Sequence, residues 1–505
     1  MTTMNLLAIE GNCLPGESVE RRRVLYGAGG ITARGRPVAV WRLANDEVLL
    51  PAFHDHHTHL AQEFIPPRGP MLHGSRSRSE ALDEVRLWLR AHPGATPVLG
   101  EGWDESVWED ARPLHRAELD AIDSVRPIAL RRVCGHLATL NSGAWSALNP
   151  EGSEADPVRG IITEMLALSL PQRWPVAFDE AVAGALRGQR RAAELGVCGI
   201  DEMGTFRGFE VFERLQREGK LRLHVRHFFP LAQFGELIER GLSSGFGRGR
   251  LHVAGCKTFL DGSFGARTAA IDSPYEGSTE SGILLWERSR LLEAVRAAAA
   301  RRYSVALHAI GIRAVEQALS VFEEVGAPSR SSSHRIEHVE QIDDDSLARG
   351  AAAGIVWSMQ PNFTVRWQNE GGMYERLLGA QRARSLNRYR SVMGHGSLLF
   401  GSDTMPMDPL FGMVGSLTHP DPLERLSVCE AFWAYTRGGL HRGTRKDLLA
   451  SGEPADLVVL QFAEGDLDRS LRHGTARVVW TAAGGGTVWC DPAAAAPPVF
   501  QEIVA

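Results

Sequence analysis

The chain has 505 residues, of which 44% are hydrophobic and 23% are charged, and its formal net charge is −6. This length exceeds one ordinary domain, and the composition supports a large buried core and excludes wholesale disorder. The small net charge, with no dominant basic patch, argues against nucleic acid as a partner. No apolar run reaches the roughly 18 residues of a membrane span, so no membrane association is expected.

The cysteines are scattered, and none of them forms a Cys-x-x-Cys pair. In a chain of this size they indicate reduced thiols, and the N-terminus lacks the basic and apolar regions of a signal peptide. The sequence therefore predicts a cytoplasmic protein that acts on a small molecule, and it leaves open whether the chain forms a homo-oligomer. The six cysteines are Cys13, Cys134, Cys198, Cys256, Cys429 and Cys490.

Short apolar runs recur along the chain, and helical spacing of apolar residues separates several of them. Runs this short and rich in β-branched residues are typical of strands buried on both faces of a parallel sheet. Strands that alternate with helices predict an α/β fold, a (β/α)8 TIM barrel. The runs are Val48–Leu50, Gly196–Ile200, Leu221–Phe229, Leu251–Cys256, Ser304–Leu307, Arg335–Glu337, Ile355–Met359 and Ser397–Phe400.

Two further regions do not fit a plain barrel. About 140 residues separate His59 from the next predicted strand near Val197, far more than one strand-to-helix step needs, so residues from about 65 to 190 are expected to form an insertion after strand 1. Both ends of the chain contain short β-like pieces. We expect residues 1–50 and 430–505 to form one small composite β-sandwich, and residues 51–429 to form the barrel domain.

The first candidate functional residues are His57 and His59. Their spacing of two residues points both imidazoles to one face of a strand, where they can bind one Zn²⁺-like ion. The pair alone is a weak signal, because a chain with 18 histidines contains such a pair almost by chance.

Other candidates stand at the ends of later predicted strands, namely Lys257, His308, His338 and Asp403. The C-terminal strand ends of this barrel converge on one mouth. Each residue alone has a purely structural explanation, such as a hydrogen-bonded core histidine or a helix cap. Their shared position at successive strand ends indicates one metal site.

The combined pattern resembles the amidohydrolase superfamily, and within it the amidohydrolase 3 group that includes YtcJ-like proteins and N-substituted formamide deformylase. The resemblance covers nearly the whole chain, and the combination of its motifs is specific although no single one is. The matching segments are Pro51–Leu60, Gly102–Asp104, Gly135–His136, Lys257–Ala269, His308–Gly311, Arg335–Gln341, Gln360–Pro361, Gly401–Thr404 and Gly452–Leu460.

The resemblance implies a set of metal ligands. His57 and His59 would hold a buried inner ion with Asp403 near it, and His308 and His338 would hold a second, more exposed ion. Lys257 would be a carboxylated lysine that bridges the two ions. Charge favours the carbamate, because a free ammonium is disfavoured beside divalent cations. The alternative is an unmodified, neutral Lys257 beside a single ion.

The implied chemistry is hydrolysis by metal-activated hydroxide. Asp403 would act as general acid and base, and Asp55 would orient the metal pair of histidines. His136, if the insertion folds over the mouth, would donate a hydrogen bond to the substrate. Trp103 would form either a wall of the substrate pocket or part of the packed core of the insertion.

Three departures from the family pattern matter. Ile312 stands where the family usually has Asp after His-Ala-Ile-Gly, which puts the substrate class in doubt more than the metal. Ala52 replaces the usual glycine of the first motif. The additional His54 and His56 are out of phase with His57 and His59 or too early to share their site, so we predict that they hold no metal.

The leading hypothesis is that the chain hydrolyses a C–N bond in an amide or cyclic amide other than a peptide. It would use one or two divalent ions, and zinc is the expected metal. A mononuclear, deaminase-like hydrolase with unmodified Lys257 is the alternative within the same class. A catalytically silent binding protein on the same barrel is the alternative from a different class, since the fold alone does not decide function.

Overall fold

The structure is a computed structural model of the chain. It describes residues 6–16, 18–65, 67–94, 96–329, 333–440, 446–463 and 465–494. Contacts divide the described residues into two compact units. The first unit comprises Met1–Phe64, Ala181–Leu260 and Leu284–Ala505, and the second comprises Ile65–Glu180 and Asp261–Ile283. The sequence-based domain limits stay a prediction.

The centre of the first unit is a nearly closed barrel of parallel strands, which confirms the predicted fold class. The strands are neighbours in the order of the chain, from β1 to β8. The backbone N–H of Asp403, just after the last strand, donates to the carbonyl of His57 on the first at 2.7 Å. The strands are β1 (Phe53–Thr58), β2 (Val197–Met203), β3 (His224–Pro230), β4 (Leu251–Phe259), β5 (Ser304–Ala309), β6 (Arg335–His338), β7 (Val356–Met359) and β8 (Ser397–Phe400).

Helices follow the strands and bury one apolar face each. In the helix Ile312–Val325, the predicted series Val315, Leu319 and Phe322 is buried, as helical spacing requires. No helix among the described residues is long and apolar enough to cross a membrane. The other helices outside the second unit are Leu60–Glu63, Phe178–Glu194, Phe206–Arg217, Phe234–Glu239, Arg288–Ala300, Asp344–Ala353, Pro361–Trp367, Met373–Leu378, Ala380–Arg384, Tyr389–His395, Pro409–Leu417, Val428–Ala434 and Leu467–Arg472.

The two ends of the chain build one mixed β-sheet, as their β-like composition predicts. Its apolar side carries Trp41 and Trp480, whose rings meet edge to face at 5.7 Å. In the order of the sheet, the strands are Gly486–Cys490, Arg477–Ala483, Leu457–Gln461, Glu47–Pro51, Leu7–Cys13, Glu20–Gly27 and Gly30–Thr32, with Ala39–Arg42 paired to Leu7–Cys13.

One predicted strand lies in a different sheet from the one expected. The run Val48–Leu50 belongs to the strand Glu47–Pro51, which pairs antiparallel with Leu457–Gln461, and the barrel strand begins at Phe53. Ala52 marks the crossing, where its N–H donates to the carbonyl of Asp456 at 2.9 Å. Two consecutive buried strands give one continuous apolar run, which composition alone cannot divide.

The second unit contains the predicted insertion after β1 and has its own core. Its largest apolar cluster includes Trp103, Trp108 and Leu130. The segment Asp261–Ile283, which follows β4, also belongs to this unit, a feature that the sequence analysis did not anticipate. The strands, in sheet order, are Ala155–Asp156, Ile161–Thr163, Leu137–Leu140, Ile128–Arg132 and Val98–Trp103, and the helices are Arg78–Ala91, Arg116–Asp120, Ser142–Leu148, Glu164–Leu168 and Leu170–Arg173.

Candidate metal centre

The end of β1 presents His57 and His59 on one side of the strand, as alternation predicts. Their ring centroids lie 5.6 Å apart. Asp55, two residues earlier, accepts from the backbone N–H of His57 at 3.2 Å and from that of Ser402 at 2.8 Å. Asp55 therefore fastens the start of the histidine pair to the loop after β8, and burial raises the pKa of its carboxyl to about 7.

Lys257 lies near the end of β4, and only 5% of its surface is exposed. Its Nζ atom has no hydrogen-bond partner among the described residues and stands 4.7 Å from the ring centre of Phe259. Burial lowers the pKa of Lys257 to about 8. A buried amine without a partner is costly for a protein that keeps it unmodified and unliganded.

His308 on β5 and His338 at the end of β6 lie side by side. Their ring centroids are 4.3 Å apart, and the ring of His338 is 4.9 Å from that of His57. His338 has a φ of +73°, a left-handed conformation that is unfavourable for a residue with a side chain. Such strain is concentrated at functional sites.

Asp403 follows β8 and meets both histidines of β1. Its Oδ1 atom lies 3.0 Å from Nε2 of His59 and 3.6 Å from Nε2 of His57. Burial opposes the charge of this carboxyl, but the hydrogen bond from His59 and the nearby positive groups hold its pKa below the ordinary value. The ligand atoms of His57, His338 and Asp403 all lie within 4.8 Å of one another, so this donor set fits a divalent ion of the zinc type.

The structure also shows side chains around this site that the sequence analysis included in matching segments but gave no role. Nδ1 of His57 lies 2.8 Å from Oε2 of Glu337, and Nδ1 of His59 lies 2.8 Å from the carbonyl oxygen of Met203. Glu337 is in turn paired with Arg335 at 2.8 Å. The available signal was the alternation of charged residues in a buried strand, Arg335 and Glu337, immediately before a candidate ligand.

Gln360 is a second such residue. It follows β7 and is 1% exposed, and neither polar atom of its amide has a hydrogen-bond partner among the described residues. Ser358, two residues earlier, accepts a hydrogen bond from Arg335 inside the barrel. Because strand side chains alternate, Gln360 continues the same interior face toward the C-terminal end of β7.

His54 and His56 form a separate cluster on the other phase of β1. Their rings stack at 4.4 Å, and Nε2 of His54 lies 2.9 Å from Asp201. Asp201 is also paired with Arg335 and, at 3.2 Å, with Arg226. Two guanidinium groups at this carboxylate disfavour a further cation. That His54 and His56 bind no metal stays a prediction.

Trp103 and His136 both lie in the second unit. Trp103 is fully buried, and its indole N–H donates to the carbonyl of Leu130 at 2.9 Å. Nδ1 of His136 lies 2.7 Å from Oε2 of Glu164, whose other oxygen accepts from Thr268. That these residues contact a substrate stays a prediction, and the structure gives the Trp103 ring a place in the core of its unit.

Ile312, the departure from the family pattern, begins the helix after β5. Its side chain is buried, and its backbone N–H donates to the side chain of Gln341 at 3.1 Å. The apolar residue therefore packs at the helix start and brings no polar group there.

Comparisons with known proteins give a consistent result. The model of the amidohydrolase family matches residues 44–488. The putative amidohydrolase YtcJ of Bacillus subtilis is 25% identical over 470 residues, which cover 85% of this chain and 87% of the relative. Protein LONG AFTER FAR-RED 3 of Arabidopsis thaliana is 25% identical over 482 residues, which cover 87% of this chain and 82% of the relative.

Among solved structures, an uncharacterized metal-dependent hydrolase from Pyrococcus horikoshii is similar to this chain. The TM-score is 0.72 at 25% sequence identity, and the alignment covers 92% of this chain and 99% of the other. The similarity therefore extends over most of the chain.

Proposed function

Because this chain belongs to the amidohydrolase family, we propose that it is a metal-dependent hydrolase that cleaves a C–N bond in a small amide or cyclic amide other than a peptide. The family membership and the metal-dependent hydrolase from Pyrococcus horikoshii support hydrolysis that needs a metal. The choice of a C–N bond rests on the resemblance to amide-cleaving members of the family.

The observation that carries the proposal is the meeting of three strand ends. His57, His338 and Asp403 come from β1, β6 and the loop after β8, yet their ligand atoms lie within 4.8 Å of one another. The atoms of His54, His56 and Asp201 lie equally close, but two guanidinium groups pair with the carboxylate of that cluster. Nζ of Lys257 on β4, which has no hydrogen-bond partner in the described part of the chain, adds a fourth strand end with an unsatisfied polar group.

The residues divide into roles. His57, His59 and Asp403 would hold an inner ion, His308 and His338 an outer one, and Lys257 both ions. A bound zinc ion supplies Lewis acidity, which polarises a substrate carbonyl and acidifies a water molecule. Asp403 then takes the proton of the attacking water and delivers it to the leaving nitrogen. Its lowered pKa keeps the carboxylate ionised and ready to accept that proton.

Lys257 can become a carbamate without an enzyme. Because burial lowers its pKa to about 8, a substantial part of the amine is neutral near that pH. The nitrogen lone pair attacks CO₂, a new N–C bond forms, and the displaced proton leaves to solvent. The product is an anion, which suits a position between two cations.

The proposal is tested by metal analysis and a substrate panel. We expect the purified protein to contain one or two zinc ions per chain and to hydrolyse members of a panel of amides, cyclic amides, esters and lactones. His57→Asn should remove bound metal, whereas His54→Asn, on the same strand but in the other cluster, should retain it. Protein with less than one metal per chain, or with metal but no turnover across the panel, would count against the proposal.

A further inference from the structure

The contact between Glu337 and His57 fixes how the imidazole carries its proton. Oε2 of Glu337 lies 2.8 Å from Nδ1 of His57, and both side chains are buried. An ionised carboxylate only accepts hydrogen bonds, so Nδ1 must donate. In a neutral imidazole the other nitrogen, Nε2, then has a free lone pair. Nε2 is the atom that faces Asp403, at 3.6 Å.

Arg335 places a guanidinium beside Glu337 inside the barrel. Its Nε atom lies 2.8 Å from Oε1 of Glu337, and its Nη2 atom donates to Oε2 at 3.1 Å. A carboxylate without such a partner would be strongly destabilised inside a protein. The one hydrogen bond of the pair, from Nη2 to Oε2, is made to the oxygen that also faces His57.

Arg335 is itself held from several strands. Its guanidinium donates to Asp201 on β2, to the carbonyl of His56 on β1 at 2.7 Å, and to the hydroxyl of Ser358 on β7 at 3.0 Å. The position of Glu337 is therefore set by the barrel framework and does not depend on a bound ion. The chain of contacts runs from the framework through Arg335 and Glu337 to His57.

We propose that Glu337 is a positioning residue, which holds His57 in its metal-binding tautomer before an ion arrives and so raises the metal affinity of the inner site. The inference rests on the proposed function, because it takes His57 as a ligand. His59 has a weaker arrangement of the same kind, since its Nδ1 faces the neutral carbonyl of Met203. Carboxylates that orient ligand histidines contribute to metal affinity in this way.

The test measures zinc binding, which needs no turnover. Metal-free protein, prepared with a chelator, is titrated with zinc in competition with a coloured chelator of known affinity. Glu337→Gln keeps the shape of the side chain, but its amide can donate to Nδ1 and favour the wrong tautomer. We expect its zinc affinity at the tightest site to fall about 10- to 100-fold.

Glu202 provides a matched control. Its carboxylate is equally buried, on β2, and accepts from the backbone N–H groups of Leu60 at 2.8 Å and Ala61 at 3.0 Å, but among the described residues it makes no hydrogen bond to an imidazole. Glu202→Gln should lower the melting temperature and leave the zinc affinity near that of the native protein. Equal losses of zinc affinity in the two variants would mean general weakening of the barrel and would overturn the proposal.

A second variant covers the case in which Glu337→Gln does not fold. Arg335→Lys keeps a positive charge but loses the guanidinium that donates to Glu337, His56 and Ser358 together, so its zinc affinity should fall in the same direction. Native zinc affinity in a folded variant of either residue would refute the positioning role. If the variants lose zinc affinity as expected but the native protein hydrolyses no amide, the proposed function would be contradicted and this inference would stand.

Discussion

Nε2 of His59 lies 3.0 Å from Oδ1 of Asp403. This contact between two titratable side chains joins the end of β1 to the loop after β8. The backbone N–H of Asp403 also donates to the carbonyl of His57. Asp403 adopts a φ of +52°, a conformation that costs free energy in a residue with a side chain. The loop is therefore held in place by its contacts with β1, and its carboxylate faces both histidines of the pair.

Replacement of this carboxylate should abolish most of the catalysis. Asp403→Asn cannot accept a proton, so we expect kcat for the best amide of the panel to fall by about 10²–10⁴. Asp408→Asn is the matched control, because Asp408 caps the helix Pro409–Leu417 through the N–H of Phe411 at 3.1 Å, and Asn caps helices about as well. Steady-state kinetics check both variants. Native kcat in Asp403→Asn would disprove its role as general acid and base.

Reactivation of the metal-free protein by zinc should require dissolved CO₂. Only the neutral amine of Lys257 reacts with CO₂, and its pKa is about 8. The rate of reactivation at a fixed CO₂ concentration should therefore rise between about pH 7 and about pH 9, as the ammonium loses its proton. Lys257→Arg should not reactivate at all, since guanidinium stays protonated. Full reactivation in CO₂-free buffer would favour an unmodified lysine and a single ion.

The side-chain amide of Gln360 should contribute nothing to the stability of the fold. Gln360→Met removes two buried polar atoms that have no partner among the described residues. We expect the melting temperature to stay constant or to rise, because no hydrogen bond is lost. If the amide contacts the substrate, kcat/KM should fall in the same variant.

Gln368 offers the matched comparison. Its amide nitrogen donates to the carbonyls of Ala383 at 3.0 Å and Leu386 at 3.1 Å, and its oxygen accepts from Asn387 at 2.9 Å. Gln368→Met should therefore lower the free energy of unfolding by about 1–3 kcal/mol, since it leaves buried groups unsatisfied. Thermal melts of both variants give the answer. Equal destabilisation would show that Gln360 is bonded within the fold.

Trp103 should matter for the stability of the second unit. The ring is fully buried, and its centroid lies 6.0 Å from that of Trp108. Trp103→Ala should lower the free energy of unfolding by about 3–5 kcal/mol, as large-to-small core replacements do. Trp88 lies at the edge of the same cluster and is partly exposed. Trp88→Ala should therefore lower the free energy of unfolding clearly less. Urea denaturation measures both, and equal losses would contradict a core role for Trp103.

The barrel and the proximity of its candidate ligands were predictable because their signals are local. The period of two in His57 and His59 follows from strand geometry, and Lys257, His308 and Asp403 each stand at the end of a short apolar run. A barrel brings such ends to one mouth. The convergence of the strand ends therefore follows from the fold, whereas the role of each ligand still requires experiment.

The partners of these residues were not predictable, because they depend on pairs distant in the chain. Glu337 meets His57 across 280 residues, and Arg335 meets Asp201 across 134 residues. No local pattern encodes either pairing. For the same reason the sequence did not reveal that Asp261–Ile283 joins the unit of the insertion. It also left Val48–Leu50 in two roles, as a barrel run and as part of the composite terminal unit, and the structure pairs it with a strand from the other end of the chain.

The pairing of Glu47–Pro51 with Leu457–Gln461 has a consequence for biosynthesis. The strand that leads directly into β1 finds its antiparallel neighbour only after the ribosome has synthesised Leu457–Gln461. Until then, the backbone N–H of Ala52 lacks the carbonyl of Asp456 that fixes the start of β1, and long-range strand pairing is slow to form. The nascent chain therefore cannot complete the support of His57 and His59 before Asp456 and the strand after it emerge. A premature stop before residue 456 would leave the barrel strands present and the histidine pair without its anchor.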